Sequence, residues 1–88
     1  MQGKAAMKVP GGKLLKVWVE YDGATIIKAK FTGDFFVHPE DAVENAEEKL
    51  SGARKRDAEA ILERGLSNAR MYGVDVKSMA KVLGEAVK

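Results

Sequence analysis

The sequence predicts an α+β fold, an antiparallel β-hairpin packed against three α-helices, with room for a short third strand. Two observations predict it. Apolar residues fall at alternate positions through the first half, and at three- and four-residue spacing through the second. Strand-like segments precede helical ones instead of alternating with them, which is the order of an α+β and not of a parallel α/β fold. At 88 residues the chain has the length of one small domain, which buries only about 60% of the surface its unfolded form exposes. The expected layout is a flexible lead over 1–8, strands over 9–38 and helices over 39–88.

Lys13 to Tyr21, "KLLKVWVEY", sets Leu15, Val17, Val19 and Tyr21 on one face. Asp22-Gly23 is a hairpin signal. Thr25 to Phe36 then places Ile27, Ala29, Phe31, Gly33 and Phe35 on one face and Lys28, Lys30, Thr32, Asp34 and Phe36 on the other. A strict two-residue loop would put Val17 opposite Lys28. Slipping by one pairs Val19 with Ile27, Val17 with Ala29 and Leu15 with Phe31, which keeps one face apolar, so a longer loop or a bulge is expected at Asp22-Gly23-Ala24. Trp18 and Ile26 then lie on the polar face, either covered by a helix edge or offered to a partner.

Pro39, Glu40 and Asp41 suit the start of a helix. Ala42, Val43, Ala46 and Leu50 form its stripe, and Gly52 its stop. A second helix is expected from about Lys55 to Ala69 through Ala58, Ile61, Leu62, Leu66 and Ala69, with Gly65 weakening its last turns. "MYGVD" reads as a turn. Asp75 is a good N-cap for a third helix carrying Val76, Met79, Ala80, Leu83 and Val87.

Composition removes several kinds of chemistry. The chain has no cysteine and a single histidine, His38. Thiolate metal sites, disulfides and cysteine nucleophiles are excluded, and a zinc site would want about three or four ligands. No serine sits in a nucleophile motif. Glu44, Glu47 and Glu48 read as a solvated helix face. "VPGGKL" lacks the phosphate-loop spacing, so Lys13 is a candidate anion contact and no more. No catalytic or metal-binding residue is expected. Nothing is apolar for long enough to span a bilayer and no secretory leader is evident, which suits a cytoplasmic protein. The formal charge of +2 does not call for nucleic acid. Only Arg54-Lys55-Arg56 favours that, and a protein- or nucleic-acid-binding module is the alternative reading.

The oddest stretch is Gly33-Asp34-Phe35-Phe36, two rings where a strand ends. By the pleat, Phe35 continues the core face and Phe36 projects oppositely, with Gly33 permitting a bend. "VPGGKLLKVWVEYDG" followed by "IIKAKFTGDFFVHPEDAVENAEEKLSG" resembles the C-terminal accessory domain of lipoate–protein ligases, through Pro10-Gly11-Gly12, Asp22-Gly23, Gly33-Asp34-Phe35-Phe36 and Leu50-Ser51-Gly52. The resemblance covers residues 9–52. The family's catalytic domain precedes this one, whereas here eight residues precede Val9, so the resemblance implies the separate small subunit of a two-chain ligase. It implies a heterodimer with the large catalytic chain, which uses ATP, Mg and lipoate to form lipoyl-AMP before transfer to a lysine of lipoyl-carrier domains of 2-oxoacid dehydrogenase or glycine-cleavage complexes. The residues expected to meet the large chain are Gly11, Gly12, Lys13, Trp18, Ile26, Gly33, Asp34 and Phe36.

Overall fold

The strand alternation and the helical stripes both appear in the structure, a computed structural model that describes residues 1–11 and 13–87. Strands β1 (Gln2–Val9), β2 (Lys13–Asp22) and β3 (Thr25–Gly33) form an antiparallel sheet in that order. β4 (Phe36–His38) pairs with β5 (Arg70–Tyr72) in a second, two-stranded sheet. Helices α1 (Ala42–Leu50), α2 (Ala58–Gly65) and α3 (Val76–Ala86) complete the mixed α+β architecture expected from the sequence.

Residues 1–8 are not a flexible lead. They form most of β1, which pairs with β2 from Gln2 opposite Glu20 to Val9 opposite Lys13. Its inward positions are Gly3, Ala5, Met7 and Val9, so the alternation is real but carried by small residues. Their smallness has a packing consequence. α3 lies close over β1, and a Cβ on Gly3 would overlap the carbonyl oxygen of Ala86. The strand is tied at its start by mutual backbone bonds between Met1 and Tyr21, at 2.9 and 2.8 Å.

The hairpin contains a bulge, in a different place from the expected one. Asp22 opposes Thr25 across the two-residue turn Gly23-Ala24, with Gly23 at φ +59. Tyr21 opposes Ile26 and Glu20 opposes Lys28, leaving Ile27 as the extra residue. The observed partners are therefore Val19–Ala29, Val17–Phe31 and Leu15–Gly33. Because the bulge adds one residue, both Ile26 and Ala29 face inward. Ile26 is 0% exposed and Ile27 is 43% exposed, the reverse of the expectation.

The free edge of β3 is closed by the chain beyond α1. The segment 51–55 bonds to it through Ile26 N–H to Ala53 O, Gly52 N–H to Ile26 O and Lys55 N–H to Ala24 O, at 2.7–2.8 Å. Ser51 Oγ donates to Ile27 O, and Phe31 N–H donates to Glu47 Oε2 at 2.6 Å. An edge so covered no longer invites another strand.

Ala42, Ala46 and Leu50 of α1, Ala58 and Leu62 of α2, and Met79, Val82, Leu83 and Ala86 of α3 meet the inner face of β1–β3 in one core. α1 begins at Ala42, three residues after Pro39, whose carbonyl accepts from Ala42 N–H. The second helix is shorter than expected. A 3₁₀ turn occupies Lys55–Asp57 and α2 ends at Gly65, where a Cβ would sit 3.3 Å from the Ala46 Cβ. Asp75 caps α3, accepting from Ser78 N–H at 2.7 Å. Met71 and Tyr72, expected in a turn, form β5 together with Arg70.

Candidate functional site

The corner after β3 is built by backbone first. Gly33 has φ +149, and a Cβ there would overlap the carbonyl oxygen of Leu14. With no Cβ in the way, the chain turns tightly and Asp34 N–H reaches Leu14 O at 2.9 Å. Asp34 then faces Lys13 at the start of β2, with Nζ 3.7 Å from Oδ2 and both side chains exposed. Such a solvated pair contributes little stability, about 0–1 kcal/mol. Gly73, at φ +81 just after β5, closes the arrangement. A side chain there would meet Lys13 Cγ at 3.0 Å and Asp34 O at 3.2 Å.

The two phenylalanines divide at this corner. Phe35 is half-buried and packs against the core. Phe36 opens β4 opposite Tyr72 of β5, and each is 57% exposed. Their ring centroids lie 6.4 Å apart with planes inclined by 47°, within the range of favourable tilted aromatic pairs. Val37, next to Phe36 in β4, is buried. The short β4–β5 ladder thus anchors itself through Val37 and holds two rings to solvent.

Phe36 also borders a groove of about 810 Å³ between β3 and α1, lined by Ile27, Phe35, Val43 and Glu47 among others. Glu47 was expected on a solvated face. Burial raises its carboxyl above the usual value, against the opposing effects of the Phe31 N–H and of Lys30. Glu44 raises it further, and Lys28 lowers it.

Of the residues singled out in the sequence, the structure gathers Lys13, Gly33, Asp34 and Phe36 at one corner. Gly11, at φ +105, is exposed and has nothing within 4 Å of an added Cβ. Gly12 lies outside the described residues. Trp18 sits apart, half-buried on the outer face of the sheet between Lys4 and Lys30. Ile26 cannot be a surface anchor because it is wholly inside the core. Tyr72 and Gly73 were missed, since β5 is three residues long and its pairing with β4 is non-local. Among the described residues, no group of three or more His, Cys, Asp or Glu side chains could hold a metal ion. No helix is long and apolar enough to cross a membrane.

These features define a class: a small mixed α+β domain with an exposed aromatic corner and, among its described residues, no metal-binding cluster. The particular likeness is to one chain of a solved structure from Thermoplasma acidophilum, described as an archaeal lipoylation system comprising a bi-partite lipoate protein ligase and its E2 lipoyl domain. Identity is 25%, 94% of each chain is covered, and the TM-score is 0.85. No family model and no curated protein matches this chain. The structural likeness is consistent with the small ligase subunit that the sequence resembles, and it supports a ligase-related role.

Proposed function

We propose that this chain is the accessory subunit of a two-chain lipoate–protein ligase. It acts with a large catalytic chain, which activates lipoate with ATP and Mg to lipoyl-AMP before the lipoyl group passes to a lysine of a carrier domain. The observation that carries this reading is the likeness over 94% of both chains to a component of a bi-partite ligase system. The corner at Gly33, Asp34 and Phe36 supports it, because this motif of the family resemblance presents an exposed ring, Phe36, beside Tyr72.

Physically, Phe36 and Tyr72 supply the desolvated aromatic anchors that interfaces use. The Lys13–Asp34 pair beside them fixes orientation more than affinity. Docking would order the adenylate-binding loops of the large chain and exclude water while the lipoate carboxylate attacks the α-phosphate of ATP and displaces pyrophosphate. This chain supplies no reacting group. Pyrophosphate release from lipoate and MgATP, measured for the large chain with and without this one, tests the proposal. Stimulation by this chain supports it. Identical rates at saturating concentrations of this chain would sink it.

A further inference from the structure

Glu40, Val43, Glu44, Glu47, Glu48 and Ser51 recur at three- and four-residue spacing through α1 and its flanks, so their side chains form one stripe. The stripe is one wall of the groove of about 810 Å³ beside β3, and Lys28 and Lys30 stand on the other. Between the walls lie apolar side chains that the core does not absorb. Ile27, turned out by the bulge, is 43% exposed and Phe36 is 57% exposed. Phe35 and Val43 are half-buried. The walls are not balanced in charge. Glu20 joins the four glutamates of the stripe, so five carboxyl groups face two lysines, and an acidic excess survives when Glu47 holds its proton. Among the described residues the one ion pair is Lys13–Asp34, so none of these carboxylates is taken up by a lysine.

We propose that this groove receives an amphipathic segment of the large catalytic chain, its apolar side chains on Ile27, Phe35 and Val43 and its lysines or arginines against Glu44 and Glu48. The source of the segment rests on the ligase reading; its chemistry is set by the groove. Phe36 belongs both to the groove and to the pair with Tyr72, so a partner seated on the corner continues into the groove without a break. Opposite charge around an apolar centre steers the approach and fixes the register, while the apolar contact supplies the affinity. Strand addition is closed to the occupant, because β3 already bonds along this edge at Ile26, Ile27 and Phe31. Recognition therefore goes through side chains, as for an amphipathic segment laid in a groove. A nucleic acid or an acidic segment would set its charges against the carboxylate wall.

The test has two readouts. In the first, the photo-cross-linking residue p-benzoyl-phenylalanine replaces Ile27 in the full chain. The product is irradiated with the large chain and the acceptor domain both present, and the attached peptide is identified by mass spectrometry. It should come from the large chain and carry apolar residues with at least one lysine or arginine. Attachment to the acceptor domain, to a second copy of this chain or to an acidic segment overturns the proposal. In the second, the concentration of this chain that half-saturates pyrophosphate release by the large chain is measured for Glu44→Lys/Glu48→Lys and the milder Glu44→Gln/Glu48→Gln. The control is Glu59→Lys/Glu63→Lys on α2, which makes the same change of net charge away from the groove. All are checked for folding by circular dichroism. The reversal should raise the half-saturating concentration about tenfold or more, corresponding to about 1.4 kcal/mol, and the neutral variant less. The control should stay within about twofold, and the differences should shrink as salt rises. A folded reversal variant that titrates like the wild type overturns the proposal, and so does an equal shift in the control. A wild-type chain that neither binds nor stimulates the large chain would instead remove the ligase reading, whereas normal wild-type stimulation with no effect of the groove variants removes the groove alone.

Discussion

Gly33 shows how one residue fixes the corner. Its φ of +149 and its contact with the Leu14 carbonyl leave no space for a methyl group. Gly33→Ala should therefore cost about 1–3 kcal/mol in a urea unfolding curve, the size of a local backbone-strain penalty, and should disturb the Lys13–Asp34 approach. The adjacent rings separate by the same kind of measurement. Phe36→Ala removes an exposed ring and should shift stability by less than about 0.5 kcal/mol, while weakening association with the large chain. Phe35→Ala empties a half-buried position and should cost about 1–3 kcal/mol, less than the ~3–5 kcal/mol of a wholly buried phenylalanine. If both variants unfold alike, the division of roles between them is wrong. The division itself was legible in the two-residue pleat, whereas Tyr72 was not, since nothing local to "RMY" marks it as the partner of Phe36.

Glu47 supplies a prediction with a sign. Its carboxyl is raised chiefly by burial, so the folded state holds this proton more tightly than the unfolded chain does. Stability from this group is complete below the ordinary glutamate value and is lost as pH rises from there through the raised folded value. Glu47→Gln keeps an oxygen for the Phe31 N–H but carries no charge. The variant should gain stability relative to the wild type between about pH 4 and pH 7, read from urea midpoints at the two pH values. A gap that is constant or narrows toward pH 7 would show that Glu47 is not held in this way. In the sequence, Glu47 looked like its neighbours Glu44 and Glu48; only the docking of α1 along β3 distinguishes it.

Among the elements, β1 carries the largest surprise. Gly3 and Ala5 are inward-facing and add little apolar signal, so a segment that completes the sheet looked like a lead. The helical stripes were far more legible, because Met79, Leu83 and Leu62 repeat at helical spacing and are fully buried. The bulge was anticipated as a requirement of the apolar face but misplaced, since pattern alone does not say whether the extra residue lies in the turn or at Ile27. The consequence for β1 is testable. Removing residues 2–8 strips the pairing partners of β2 and uncovers α3, so the shortened chain should lose its cooperative thermal transition. A sharp transition near the wild-type midpoint would mean that β1 contributes little.

At the scale of the whole molecule, one small domain presents an exposed aromatic corner, Phe36 beside Tyr72, through which a catalytic partner would dock. The fold class is legible in the apolar periodicity and the order of strands before helices, and the family resemblance in ordered motifs, of which Gly33-Asp34-Phe35-Phe36 forms the corner. The outer face of the sheet is only partly legible in the sequence, because β1 carries little apolar signal and the pattern puts Ile26 on that face instead of in the core. The central claim is that this chain activates a ligase through the corner. The most direct measurement is pyrophosphate release by the large chain with lipoate and MgATP as this chain is titrated in, for the wild type and for Phe36→Ala/Tyr72→Ala. The wild type should activate saturably. The double variant should reach the same plateau at about tenfold or higher concentration, the effect of losing interface anchors of about 1.4 kcal/mol or more in total. A flat wild-type titration, or identical curves for the two proteins, would contradict that claim.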